Sequence, residues 1–292
     1  MLTCYRLASS AEMPTDFDKG PDRSIADRRA DNSFAFADPG MRRDFLGVPI
    51  DCLTLSETIA AADRAIQKRQ PLQHVCINVA KFVAMRSNAE LDEDVRTSDI
   101  INVDGMGIVW AARLLGVEIP ERVAGVDVME RVIGLCATRG YRPYFLGARA
   151  EILQRSITNV RSRFPELTIA GSQHGYFTLE EEHDVVAAIK SSRADCLFIG
   201  MPTPRKERFL AAHRGGLDVP FIMGVGGGLD VLAGYVRRAP RIVQYLGLEW
   251  LYRTIQEPLR LGPRYLTTNA VFAGIVAKAL TLRLLANLGV LR

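Results

Sequence analysis

The 292-residue chain has few of the residues that hold metals or disulfides. Its five cysteines, Cys4, Cys52, Cys76, Cys136 and Cys196, are odd in number, widely spaced and without a C-x-x-C pair. A disulfide framework and a structural zinc site are therefore not expected. The four histidines, His74, His174, His183 and His213, lack metal-ligand spacing. There is no G-x-x-x-x-G-K-[ST] and no G-x-S-x-G, which removes a P-loop NTPase and an α/β-hydrolase elbow. The glycine run Gly224–Asp230 fails the dinucleotide pattern because Leu229 stands at the last glycine position, so NAD is not expected and no cofactor is implied. The N-terminus has no apolar h-region of a signal peptide. Lys278 and Arg283 interrupt the best candidate for the roughly 18 uncharged apolar residues of a transmembrane span. Glycine and proline are not in excess, and nothing repeats at a fixed period.

What is present is an ordinary globular composition, 48% apolar and 24% charged, with an uneven charge distribution. From Arg237 onward there are nine basic side chains against Glu249 and Glu257. The net charge of +4 thus leaves the first 236 residues at −3. A basic tail on a slightly acidic body points to a polyanionic partner, such as phosphates or anionic lipid head groups. Nucleic acid is not expected, because the arginines are spaced along helices among Trp, Tyr and Leu and no nucleic-acid motif occurs. Residues 1–44 carry seven basic and eight acidic side chains without periodicity and read as a disordered extension.

From Phe45, apolar runs alternate with stretches of helical spacing. The strands expected are 45–50, 73–79, 99–103, 143–147, 167–170, 195–200 and 220–224, and the helices between them 55–69, 105–115, 127–139, 151–164, 179–191 and 205–214. Continuous apolar strands joined by helices call for an α/β fold, a Rossmann-like open and mainly parallel sheet with helices on both faces. After Asp230 only helices are expected, near 242–248, over 249–257 up to Pro258, and over 265–291. This divides the chain into a body, 45–236, and a basic helical appendage, 237–292, whose last helix is apolar enough to lie on a membrane surface.

Ligands of open α/β sheets bind beyond the carboxyl ends of the strands. Asn78, Asp104-Gly105, Gly147, Gly200 and the Gly224–Asp230 run occupy such positions. Glycines there let backbone N–H groups approach a diphosphate, or simply serve a tight turn. Asp104 reads as a general base or as a cap for the helix beginning near Gly105. Asp92-Glu93-Asp94 has the D-x-D form of metal-dependent sugar transferases but lies in a polar helical stretch, so a solvated face is expected and no metal.

Six segments in order, Asn102–Val109, Pro120–Asp127, His174–Phe177, Gly224–Gly227, Arg238–Pro240 and Gly247–Arg253, resemble those of the WecG/TagA/CpsF glycosyltransferases over about residues 45–264. The resemblance implies an inverting, metal-independent transferase. Its donor would be a UDP-sugar and its acceptor a polyprenyl-diphosphate-linked saccharide, at the cytoplasmic membrane face. It implies Asp104 as the base and Asn78 as a donor contact. It places Arg122, Gly226 and Asp230 in the nucleotide pocket, and brings Arg253, Arg260 and Arg264 of the appendage back to the diphosphate. Arg122 has the alternative of a surface ion pair, Trp250 that of a packing anchor, and Arg237 and Arg238 that of lipid contacts. Tyr176 and Phe177 are read as core.

Two positions depart from the family pattern. Cys76 stands where a Thr is common, and Lys206 in Met201–Glu207 replaces a neutral amide, placing a cation near the expected donor pocket. Lys206 is thereby read as substrate-binding, and the resemblance shifts from N-acetylmannosamine enzymes towards glucosyltransferases of the xanthan exopolysaccharide type. Glucose is then the first expectation for the sugar. An N-acetylmannosamine or N-acetylmannosaminuronate transferase of wall teichoic acid or enterobacterial common antigen type is the alternative. Self-association into a homo-oligomer is compatible with the sequence and not specified by it.

Overall fold

The computed structural model describes residues 41–288, apart from the side chain of Arg260. The extension expected over the first 40 residues lies outside the described residues, as do residues 289–292. Described structure begins inside the segment assigned to that extension, because Arg42–Phe45 (β1) pairs antiparallel with Val48–Asp51 (β2). The single strand expected over 45–50 is therefore a hairpin. Leu46 and Gly47, at φ 53° and 83°, make the two-residue turn that a right-twisted hairpin favours.

Six strands form one parallel sheet: Leu72–Ile77 (β3), Ile100–Val103 (β4), Pro143–Gly147 (β5), Gly171–Gln173 (β6), Cys196–Gly200 (β7) and Phe221–Gly224 (β8). Their order is β4-β3-β8-β7-β5-β6. Every residue of β3, β4 and β5 is buried, which is why these segments read as unbroken apolar runs. After β4 the chain crosses to the far half of the sheet, and β7 and β8 then fill the middle. The hairpin covers the free edge of β4 through side chains. Buried Asp51 accepts from Ile101 N at 2.7 Å, while Arg42 pairs with Asp51 and donates to the carbonyl of Asp99. The edge thus has its backbone groups answered without a further strand.

The helices are Leu55–Gln67 (α1), Val79–Ala84 (α2), Ala89–Thr97 (α3), Met106–Leu114 (α4), Gly125–Arg139 (α5), Ala150–Arg163 (α6), Glu182–Ser192 (α7), Arg205–His213 (α8), Gly228–Leu232 (α9), Arg241–Tyr245 (α10), Glu249–Gln256 (α11) and Pro258–Asn287 (α12). The apolar stripes of α1, α5 and α6 close on one face of the sheet around Phe145, Phe198 and Phe221. The other face carries α2 and α4 over Val75, Ile77 and Ile101, and α7 and α8 over Leu146, Leu197 and Ile199. The expected architecture is therefore present, with helices on both sides of an open parallel sheet.

Three local expectations change. The edge strand expected at 167–170 forms at Gly171–Gln173, and the short helices α2 and α9 were not anticipated. Helix α12 begins with Pro258 at its first position, where a missing N–H costs nothing, and continues through Pro263. It therefore starts seven residues before the expected position. Leu261–Asn287 is long and apolar enough to cross a membrane by length and composition, which corrects the expectation that Lys278 and Arg283 disqualify it. In this structure Phe272 of that helix is buried against Phe45 and Phe82, and Val276 is buried in the same cluster, each such side chain contributing about 1.5–3 kcal/mol of docking.

Candidate active site

The carboxyl ends of the parallel strands β3, β4, β7 and β8 lie at one edge of the sheet, and Asp104 directly follows β4. Its N–H donates to Ile77 O at 2.8 Å, extending the ladder by one residue and bringing Asp104 beside Asn78. Gly105 permits this approach, since a Cβ there would meet Asn78 Cα at 3.2 Å. Gly105, with no side chain, is the N-cap of α4. The capping role considered for Asp104 on that helix is thus not the observed one. Instead Asp104 Oδ2 accepts from Gly125 N, the first residue of α5, at 3.3 Å.

Around Asp104 the chain assembles charges from distant segments. Arg122 Nη1 lies 3.7 Å from Asp104 Oδ1 and donates to Glu249 Oε2 of α11 at 2.9 Å. Arg122 is only 15% exposed, so it is not a surface ion pair. Arg238 grips both carboxylate oxygens of Asp127 and lies 3.7 Å from Glu249 Oε1, so it is engaged here and not with lipid. Burial raises the Asp104 carboxyl above the usual aspartate range; Arg122 opposes this rise and Glu249 adds to it. The side chain is 30% exposed, so it remains open to solvent.

In the loop after β8, which β3 separates from β4, Gly226 has φ +51° and open space where a Cβ would sit, so the turn itself demands glycine. A Cβ on Gly227 would lie 3.2 Å from Arg253 Nη2 and 3.5 Å from Asp230 Oδ2. Arg253 of α11 therefore lies across the glycine loop beside Asp230, and its Nε is buried without a hydrogen-bond partner. A guanidinium above the glycine loop after β8, with a carboxylate of raised pKa at the end of β4 on the other side of β3, can hold an anionic leaving group while a hydroxyl is deprotonated. A model of the glycosyl transferase WecG/TagA/CpsF family matches residues 43–285. The chain belongs to that family. It is 30% identical over 238 residues, 81% of this chain and 92% of the relative, to the N-acetylglucosaminyldiphosphoundecaprenol N-acetyl-beta-D-mannosaminyltransferase of Staphylococcus aureus (strain MW2). It is accordingly a glycosyltransferase, and the family resemblance read from the six segments holds.

Of the residues read as this family's site, the structure brings together Asp104, Asn78 and Arg122, and on the glycine loop Gly226, Asp230 and Arg253. Asn78 is the N-cap of α2, its Oδ1 accepting from Lys81 N at 2.9 Å. Arg264 is exposed on α12 and makes no ion pair among the described residues, while the side chain of Arg260 lies outside the described residues. Lys206 is not free to act as a donor-site cation. It is buried under Gly224, 2.6 Å from Asp94 Oδ2 and 3.3 Å from Glu207 Oε1. Asp94 also accepts from Gln73, so the D-x-D carboxylates are committed apart, Asp94 inside and Asp92 to Arg96. The solvated face expected for that run holds for Asp92 and the exposed Glu93, but not for Asp94. Trp250 packs on Tyr265 with ring centres 5.9 Å apart, as an anchor between α11 and α12. Phe177 is core, but Tyr176, also read as core, is 69% exposed.

The reading from sequence missed Glu249, Asp127 and Lys81. Glu249 lies inside a matched segment, yet nothing local shows its partners. Lys81 sits one turn beyond Asn78, where burial first and Lys206 second lower its pKa. Two predictions follow from these pairings. Glu249→Gln removes a negative neighbour and leaves Arg122 to Asp104, so the acid limb of the kcat/KM–pH profile should move to lower pH; an unmoved limb would remove Glu249 from the control of the base. Lys206→Met leaves Asp94 and Glu207 buried without their cation and should cost about 3–5 kcal/mol in urea unfolding, with the donor KM unchanged. A raised donor KM at unchanged stability would return Lys206 to the donor pocket.

Proposed function

We propose that the protein is an inverting, metal-independent transferase that moves a sugar from a UDP donor to a hydroxyl of a polyprenyl-diphosphate-linked saccharide. The observation that carries this reading is a partly exposed Asp104 of raised pKa beside Arg122, with Arg253 over the glycine loop. Asp104 takes the proton of the acceptor hydroxyl. That oxygen bonds to the anomeric carbon on the face opposite UDP, and the bond from this carbon to the phosphate oxygen breaks. Arg253, with Arg260 and Arg264 following it in the chain, neutralises the charge left on UDP. In this division of labour residues 45–236 bind the donor, and residues 237–292 complete the site and meet anionic lipid at the cytoplasmic membrane face. The apolar length of α12 and its exposed Lys278 and Arg283 support such a surface contact.

The sugar is N-acetylmannosamine, as in the name of the staphylococcal relative, with an N-acetylglucosaminyl diphosphate lipid as acceptor. The expectation of glucose rested on Lys206 as a donor-site cation, and its burial against Asp94 takes that reason away. A panel of UDP-sugars with this lipid acceptor, in EDTA, tests the reading. Transfer from UDP-N-acetylmannosamine that survives chelation is expected. Preference for UDP-glucose would restore the exopolysaccharide reading, and activity recovered only with Mg²⁺ or Mn²⁺ would replace the arginine-based mechanism.

A further inference from the structure

Helix α4 starts two residues after the catalytic carboxylate. Its inner face, Ile108, Val109, Ala111 and Ala112, is buried in the core. The outer face bears Met106, Trp110 and Leu114, spaced four residues apart and so aligned over about 12 Å. Trp110 is 48% and Leu114 64% exposed. The inner face is what the core buries, while about half of Trp110 and most of Leu114 stay open. In line with the base they form an apolar strip that the fold leaves partly uncovered.

The strip is continuous with the appendage. Gly247, at φ +71°, lies so close that a Cβ there would stand 2.6 Å from Met106 Cβ and 3.1 Å from the Trp110 ring. Leu246 and Leu248 on either side of it are 52% and 37% exposed. The apolar path thus runs from Asp104 along α4 and onto the segment joining α10 and α11. A substrate whose hydroxyl must reach Asp104 and whose other end is a hydrocarbon chain matches this order of surfaces.

Resting on the transferase reading, we propose that the outer face of α4 is the acceptor track. The saccharide next to the reacting hydroxyl lies against Met106 and Trp110, and the first isoprene units beyond the diphosphate lie towards Leu114. The aromatic face of Trp110 takes the C–H face of the sugar, and Leu114 takes hydrocarbon.

The test is a KM analysis in detergent with two acceptors of the same saccharide diphosphate, one on a long polyprenyl chain and one on a short, water-soluble chain. Trp110→Ala should raise the KM of both acceptors about tenfold, leaving the donor KM and melting temperature unchanged. Leu114→Gln, at a site open to solvent, should raise the KM of the long-chain acceptor alone. If the wild-type chain transfers sugar and neither variant changes either acceptor KM, the track is wrong while the transferase reading stands. If the wild-type chain transfers to neither acceptor, that reading itself has failed. A Trp110→Ala variant that lowers the melting temperature and raises donor and acceptor KM alike would make Trp110 a packing residue for Gly247. Loss of vesicle binding with acceptor KM values intact would assign the strip to the bilayer and overturn the proposal.

Discussion

Asp104→Asn should lower kcat by about 10²-fold or more while leaving UDP affinity and thermal stability intact. The substitution is nearly isosteric, and its amide oxygen can still accept from Gly125 N, so the strand end keeps its geometry. What disappears is the ability to take a proton. The sign of the stability effect separates this from a structural role. Burial and Glu249 raise the folded-state pKa of Asp104 above its value in the unfolded chain. The protonated group therefore contributes stability below the unfolded pKa, and that contribution is lost as pH rises through the folded pKa. At neutral pH an asparagine should cost no stability, giving a melting temperature equal to or above wild type. Turnover close to normal in a folded Asp104→Asn protein would show that another group accepts the proton.

Arg253→Ala should lower kcat/KM by about 10²–10³-fold, the range for removing one preorganised donor to a developing anion. Its Nε is buried and donates to no group among the described residues, and its Nη2 overlies Gly227. A donor already stripped of water and left without a partner is ready to meet a phosphate oxygen at little further desolvation cost. Arg253→Lys keeps the charge but loses the fork, so it should recover only part of the loss. Titration of UDP against the alanine variant should show weakened binding, whereas Asp104→Asn should not. Full activity of Arg253→Ala with a detergent-dispersed acceptor would move leaving-group stabilisation to Arg260 or Arg264.

The fold and the position of Asp104 were legible in the sequence because both are local. A strand buried on both faces has to be a short unbroken apolar run, and a helix on the sheet has to carry a stripe, so the alternation from 72 to 224 specifies parallel β/α packing. Asp104-Gly105 directly after such a run is enough to put a carboxylate at the ligand end of the sheet. The hairpin turn at Leu46-Gly47 was hidden, because a two-residue reversal inside an apolar run does not interrupt it. The charge pairings were hidden for a different reason. Arg122 with Glu249, Arg238 with Asp127 and Lys206 with Asp94 join residues 127, 111 and 112 positions apart. At such separations no periodicity links the partners. Whether an arginine faces substrate, lipid or a carboxylate then depends on which helices the folded sheet brings together. Sequence alone therefore determined the sheet, the place of Asp104 at its carboxyl edge and the family. Tertiary structure decided that Lys206 is a buried counter-ion to Asp94, that Glu249 reaches Arg122 beside Asp104, and that Arg238 is taken up by Asp127. Burial makes an unpaired charge costly, so each buried charge is assigned by the partner the fold supplies.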